Sequence, residues 1–198
     1  MIRLALILLL GGVAAPVGAQ QEPPRVRPGG VATMVVTIEA GAGSVAYTLT
    51  PADGVRLFAS ASGRITALPS EPLRLPITLG VPARAVAGPM TAAELALEWP
   101  DGTRDTRPLV VEVLARRGAH FSIDYPAITA TPGSPVELGY GVRNEGNAAD
   151  TFRIRLTAPS TWPGADAAVA FVLEPGEQRS GTFRSELPAQ SEPGGEHV

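Results

Sequence analysis

The apolar residues of this chain come in short runs that alternate with polar ones, without a sustained helical period. Residues 31–38 read Val-Ala-Thr-Met-Val-Val-Thr-Ile, with Thr33, Val35 and Thr37 set against Met34, Val36 and Ile38. Successive side chains of an extended strand point to opposite faces, so this spacing predicts a strand with one apolar face. The same reading predicts strands over residues 45–49, 55–59, 64–68, 73–79, 94–99 and 109–114. Turn formers punctuate them: Pro28-Gly29-Gly30, Gly41 and Gly43, Pro51-Ala-Asp-Gly54, Ser62-Gly63, Pro69, Gly88-Pro89 and Pro100-Asp-Gly102. Seven short strands in about 90 residues, each bounded by turn residues, is the pattern of an all-β sandwich.

The pattern then restarts. Arg116-Arg117-Gly118 forms a junction, and strands are predicted over 121–125, 136–142, 151–156, 167–173 and 180–187. In the third of these, Phe152, Ile154 and Leu156 fall on one face and Arg153 and Arg155 on the other. Thr131-Pro-Gly-Ser-Pro135 echoes Arg27-Pro-Gly-Gly30, and Val81-Pro82-Ala83 recurs as Leu187-Pro188-Ala189. Val81 and Leu187 are offset by 106 residues, as are Gly88 and Gly194, while Pro28 and Pro132 are offset by 104. A near-constant offset over several landmarks is the mark of an internal duplication. The expected organisation is therefore two tandem immunoglobulin-like β-sandwiches, residues 28–115 and 120–198, with a lead-in at 20–27 and a linker at 116–119. Two more strands follow Gly88 in the first repeat, whereas four residues follow Gly194 in the second. On that comparison the second sandwich is expected to be truncated and the chain to be the N-terminal part of a longer one. The alternative is an open edge that accepts a partner's strand.

The N-terminus carries a different pattern. Arg3 precedes the apolar run of residues 4–10, and Val17-Gly18-Ala19 has the small residues of a cleavage site, with Gln20 as the first mature residue. Residues 1–19 thus read as a signal peptide, which places the mature chain in the periplasm, at the cell surface or outside the cell. Every later apolar run is too short and broken to span a bilayer as a helix, so no transmembrane helix is expected in the mature chain.

Composition narrows the chemistry. The net charge is −3 and all 16 basic residues are Arg, which leaves no electrostatic footprint for nucleic acid. There is no Cys, and His120 and His197 are the two imidazoles, so no transition-metal site of a common type can be written and no cofactor is expected. Gly-x-Ser-x-Gly, His-Glu-x-x-His and phosphate-loop patterns are absent, and the chain is read as non-enzymatic. Asn144, Glu145, Asn147 and Asp150 form an oxygen-rich cluster. Its functional reading is a Ca²⁺ site, with Asn144, Asn147 and Asp150 as ligands. Its structural reading is a hairpin turn, since Asn and Gly tolerate positive φ and Asx side chains bond the backbone. Trp99 and Trp162 could stack on sugars or pack on the core, and Trp99 is the candidate ligand-binding residue.

The second repeat runs Tyr140-Gly-Val-Arg-Asn-Glu-Gly-Asn147, Asp150-Thr-Phe152, Pro159-Ser-Thr-Trp162, Leu173-Glu-Pro-Gly-Glu177 and Leu187-Pro188. This order resembles the bacterial immunoglobulin-like modules of the NEW3 and CARDB type. The resemblance implies a repeat module of secreted and surface proteins, some of which accompany glycosidase domains. The expected function is a structural spacer or a protein-interaction and adhesion module of the cell envelope, its partner a protein or a surface polysaccharide. The alternatives are a carbohydrate-binding accessory module of a secreted glycosidase, and a periplasmic assembly chaperone or strand acceptor.

Overall fold

The computed structural model describes residues 22–39, 43–67, 72–124, 129–157 and 167–190. Residues 1–19, which the sequence reads as a signal peptide, and Trp162, His197 and Gly194 lie outside the described residues. Every regular element among the described residues is a β-strand, and the protein is all-β.

In the first half, β2 (Val31–Ile38) pairs antiparallel with β6 (Leu73–Gly80), and β3 (Gly43–Pro51) with β5 (Ser62–Ala67). The alternation of β2 does what its spacing predicts: Ala32 and Ile38 are buried, with Met34 and Val36 packed beside them, while Thr33 and Thr37 face out. The short β4 (Arg56–Leu57) completes a three-stranded sheet in the order β2-β6-β4. The long β7 (Gly88–Glu98) and β8 (Arg104–Val113) form a hairpin that joins β3 through β7. Together with β1 (Arg25–Val26) they make a five-stranded sheet in the order β1-β8-β7-β3-β5. The two sheets share one core, in which Ile38, Ile77, Leu79, Leu95 and Val111 are fully buried. Burying side chains of this size contributes roughly 1.5–3 kcal/mol each, which is how a chain without disulfides holds this half together.

Several details depart from the sequence expectation: the strand expected over 55–59 is confined to Arg56–Leu57, and Ser62-Gly63, expected as a turn, opens β5. Arg25 and Val26 belong to the segment read as a lead-in, yet they form β1, pair parallel with Glu112 and Val113, and bury Val26. A two-residue parallel pairing has no period to read. Strands β7 and β8 also begin well before the expected residues 94 and 109. Their extra length is polar or interrupted, with Pro108 lying in a stretch of β8 whose one described partner is β7. Finally, Ala92 and Ala93 are consecutive and both buried. A register shift between Thr91 and Ala93 explains it, because a bulge turns two neighbours to the same face.

The second half repeats the nested pairing. Strand β10 (Pro135–Asn144) pairs with β13 (Gln178–Glu186), and within that pair in sequence β11 (Asp150–Arg155) pairs with β12 (Ala168–Leu173). Strand β9 (Ala119–Ile123) flanks β10 on its other side. Tyr140, Val142, Phe171 and Leu173 are buried between the sheets, with Phe152, Ile154, Val169 and Phe183 half-buried around them. Among the described residues, β11 has β12 as its sole partner, and no hairpin stands where β7–β8 stands in the first half.

Candidate functional site

Asn144 and Asn147 are the buried polar residues among those described, the first ending β10 and the second in the turn that follows. Burying an amide is unfavourable unless its donors and acceptor are satisfied. Asn144 is fully buried at the end of β10. Its Nδ2 donates to the carbonyls of Ala148 and Leu173, both at 2.9 Å, and its Oδ1 accepts from the Gly146 N–H at 2.8 Å. The residue thus folds the turn back on itself and ties it to the end of β12.

Asn147 does a different job: it joins the two halves. Its Nδ2 donates to the Ala85 carbonyl at 3.0 Å and to the Leu114 carbonyl at 3.2 Å. Its Oδ1 accepts from the Arg116 N–H at 2.6 Å. Its own N–H donates to the Arg116 carbonyl at 3.1 Å, and its carbonyl accepts from the Ala87 N–H at 2.8 Å. One side chain from the second half therefore holds the loop between β6 and β7 and the segment leaving β8.

The segment between the halves is not a free linker. The β9–β10 ladder ends at the pair Asn144 and Ala119. It continues in the same register beyond the strands: the Glu145 N–H donates to the Gly118 carbonyl at 2.9 Å, and Arg116 and Asn147 exchange bonds as above. Residues 116–118 are thus an extension of β9 pairing with the turn. Two glycines make the approach possible. A Cβ at Gly146 would stand 2.6 Å from the Arg116 carbonyl oxygen, and one at Gly118 would stand 3.2 Å from the Glu145 backbone. The exposed Arg117 guanidinium sits 3.7 Å from the Asp150 carboxylate, a pairing of little energetic weight at that exposure.

The candidate Ca²⁺ ligands lie around this one turn: Asn144 ends β10, Asn147 stands in the turn and Asp150 opens β11. Both amide oxygens accept backbone N–H groups, and an Asp150 carboxylate oxygen accepts from the Thr151 N–H at 2.9 Å. Among the described residues no group of three or more His, Asp or Glu is placed to hold a metal. Trp99 lies elsewhere, at the tip of the β7–β8 hairpin, half-buried against the first core. Its backbone closes the hairpin loop, its N–H donating to Thr103 and its carbonyl accepting from Gly102. His120 is exposed on β9 opposite Arg143. The structure brings neither Trp99 nor His120 to the Asn147 turn.

Sequence reasoning found this turn but not its reach. Asn147 contacts partners 62 and 33 residues away, and no spacing rule reports such pairs. The signal that was available is the pair of glycines, Gly118 and Gly146, each beside a polar stretch and each marking a close backbone approach. Comparison with protein-family models finds none that matches the chain, and none of the curated proteins matches it either.

Proposed function

We propose that this chain is an exported, non-catalytic structural module of the cell envelope: two immunoglobulin-like sandwiches locked into one rigid spacer. The observation that carries this reading is Asn147, a buried amide spent entirely on holding one half to the other. An independently mobile pair of modules has no use for a desolvated side chain at its joint. The tandem immunoglobulin-like assignment is supported by the nested strand pairing, β2–β6 around β3–β5 and β10–β13 around β11–β12. The export assignment is supported by the N-terminal apolar run and its small-residue cleavage site.

Two measurements test the proposal. Mass spectrometry of the protein from the periplasm or medium of a bacterial host is expected to find a mature chain that starts at Gln20. Small-angle scattering of that mature chain is expected to fit a single elongated conformer. A chain retained uncleaved in the cytoplasm would remove the export reading, and a profile that requires a broad spread of inter-module angles would remove the spacer.

A further inference from the structure

We infer that the outer face of the β2-β6-β4 sheet, around Phe58, is a binding platform for an acidic polysaccharide, one whose sugar rings carry carboxylates. The inference does not depend on the rigid-spacer reading. Phe58 follows β4 and continues its pairing, its N–H donating to the Thr78 carbonyl at 3.0 Å. Leu57 packs inward on the first core, so Arg56 and Phe58 on either side of it turn outward. Phe58 is 54% exposed. Its ring lies over Gly80, where a Cβ would stand 2.9 Å from it. The glycine lets the ring settle on the sheet surface instead of standing off it. The Arg56 guanidinium carbon is 5.5 Å from the ring centroid, a cation–π contact that holds the two groups side by side.

The neighbouring strands extend the platform. Val31 pairs with Gly80 from the β2 side and is 58% exposed, an apolar shoulder beside the ring. In the next row Thr33 pairs with Thr78, and their hydroxyl oxygens are 3.1 Å apart. One sheet face thus carries an aromatic ring, an apolar shoulder, a pair of hydroxyls and a guanidinium. The central strand β6 already pairs with β2 and β4, so a ligand on this face binds through side chains and not by adding a strand.

Charge narrows the occupant. The turn after β1 and the loop after β6 meet at this end of the sheet, where the Gly29 N–H donates to the Pro82 carbonyl at 3.1 Å. They bring Arg27 and Arg84 to the end that holds Arg56, and all three are exposed. Among the described residues none of these guanidiniums has a carboxylate partner. Asp53, in the turn before β4, is the acidic residue set against them. The local balance is positive on a chain whose net charge is −3. A sugar ring offers its C–H face to Phe58 and its hydroxyls to Thr33 and Thr78, and a carboxylate on it gives Arg56 a charged acceptor. A protein partner anchors its aromatic and Arg side chains in pockets, whereas a polysaccharide lies along a flat face such as this.

The probes are polygalacturonate, alginate and hyaluronan, each titrated into the mature protein by calorimetry. Dextran serves as the neutral sugar and polyglutamate as the polyanion without rings. Saturable binding of at least one acidic polysaccharide is expected, with none of dextran or polyglutamate. Phe58→Ala, an exposed change, is expected to weaken that binding roughly three- to tenfold, and Phe58→Tyr to keep it. Arg56→Gln is expected to weaken it and to flatten its dependence on salt. The inference is overturned by any of three results. One is no binding of any of the three polysaccharides. Another is polyglutamate binding as tightly as they do, which would make the face a surface for acidic peptides. The third is unchanged binding by a Phe58→Ala protein that keeps the parent melting temperature.

Discussion

The side-chain amide of Asn147 donates to the carbonyl of Ala85 across 3.0 Å, joining the turn after β10 to the loop before β7. Asn147→Ala would leave the Ala85 and Leu114 carbonyls and the Arg116 N–H without this partner. Unsatisfied buried groups make the expected loss about 2–3 kcal/mol, read by urea denaturation. Asn147→Asp is expected to cost more. It replaces the donor with a carboxylate oxygen facing two carbonyls, and charge is harder to bury than an amide.

Gly146→Ala is expected to open the same junction from the other side. The added Cβ would stand 2.6 Å from the Arg116 carbonyl oxygen, a backbone atom that moves only if the ladder moves. A loss of about 1–3 kcal/mol is expected, the range for overpacked sites. Trypsin cleavage after Arg116 or Arg117 should accelerate in parallel. Unchanged cleavage would mean that the ladder does not protect this segment.

Glycines opposite tyrosines recur in both halves. Gly63 pairs with Tyr47, and Gly181 pairs with Tyr140. A Cβ at Gly63 would stand 2.8 Å from the Tyr47 ring, and one at Gly181 would stand 2.5 Å from the Tyr140 ring. Each tyrosine lies across its glycine, so Gly63→Val and Gly181→Val should each lower the melting temperature. Gly181→Val should also disturb the Tyr140–Phe183 contact, whose ring centroids are 5.0 Å apart.

The tip of the β7–β8 hairpin carries a pH signature. The Thr103 N–H donates to Asp101 Oδ1 at 2.9 Å, and hydrogen bonds from the Thr103 backbone and hydroxyl hold the exposed carboxyl below its ordinary value of 3.8. A lowered folded-state value means the charged form is favoured by folding. The contribution is therefore present above the ordinary carboxylate range and fades as pH falls through the folded value. Thr103→Val removes the hydroxyl and keeps the backbone bond, so the Asp101 titration seen by NMR should move part of the way up.

Strands with strict alternation were legible in the chain. Residues 31–38 and 73–79 appear as β2 and β6, and residues 151–156 as β11, one residue displaced. What could not be read depends on distant partners. Val26 is buried because β8 lies beside it, and nothing around Arg25 and Val26 announces a strand. The polar run 104–108 becomes strand because it pairs with residues 94–98 of β7, a tertiary circumstance. At the junction, the turn chemistry of Asn144 and Gly146 was visible in the sequence. The reach of Asn147 to Ala85 required both halves to be placed.

The most direct test of the rigid junction is a distance distribution between the halves. The chain holds no Cys, so Thr33→Cys and Arg153→Cys, both at exposed positions, give two clean sites for spin labels. Pulsed electron resonance on this doubly labelled protein should return one narrow distance peak. The same measurement on a chain that also carries Asn147→Ala should return a broad one. A broad distribution with Asn147 intact, or a narrow one that Asn147→Ala leaves unchanged, would contradict the account.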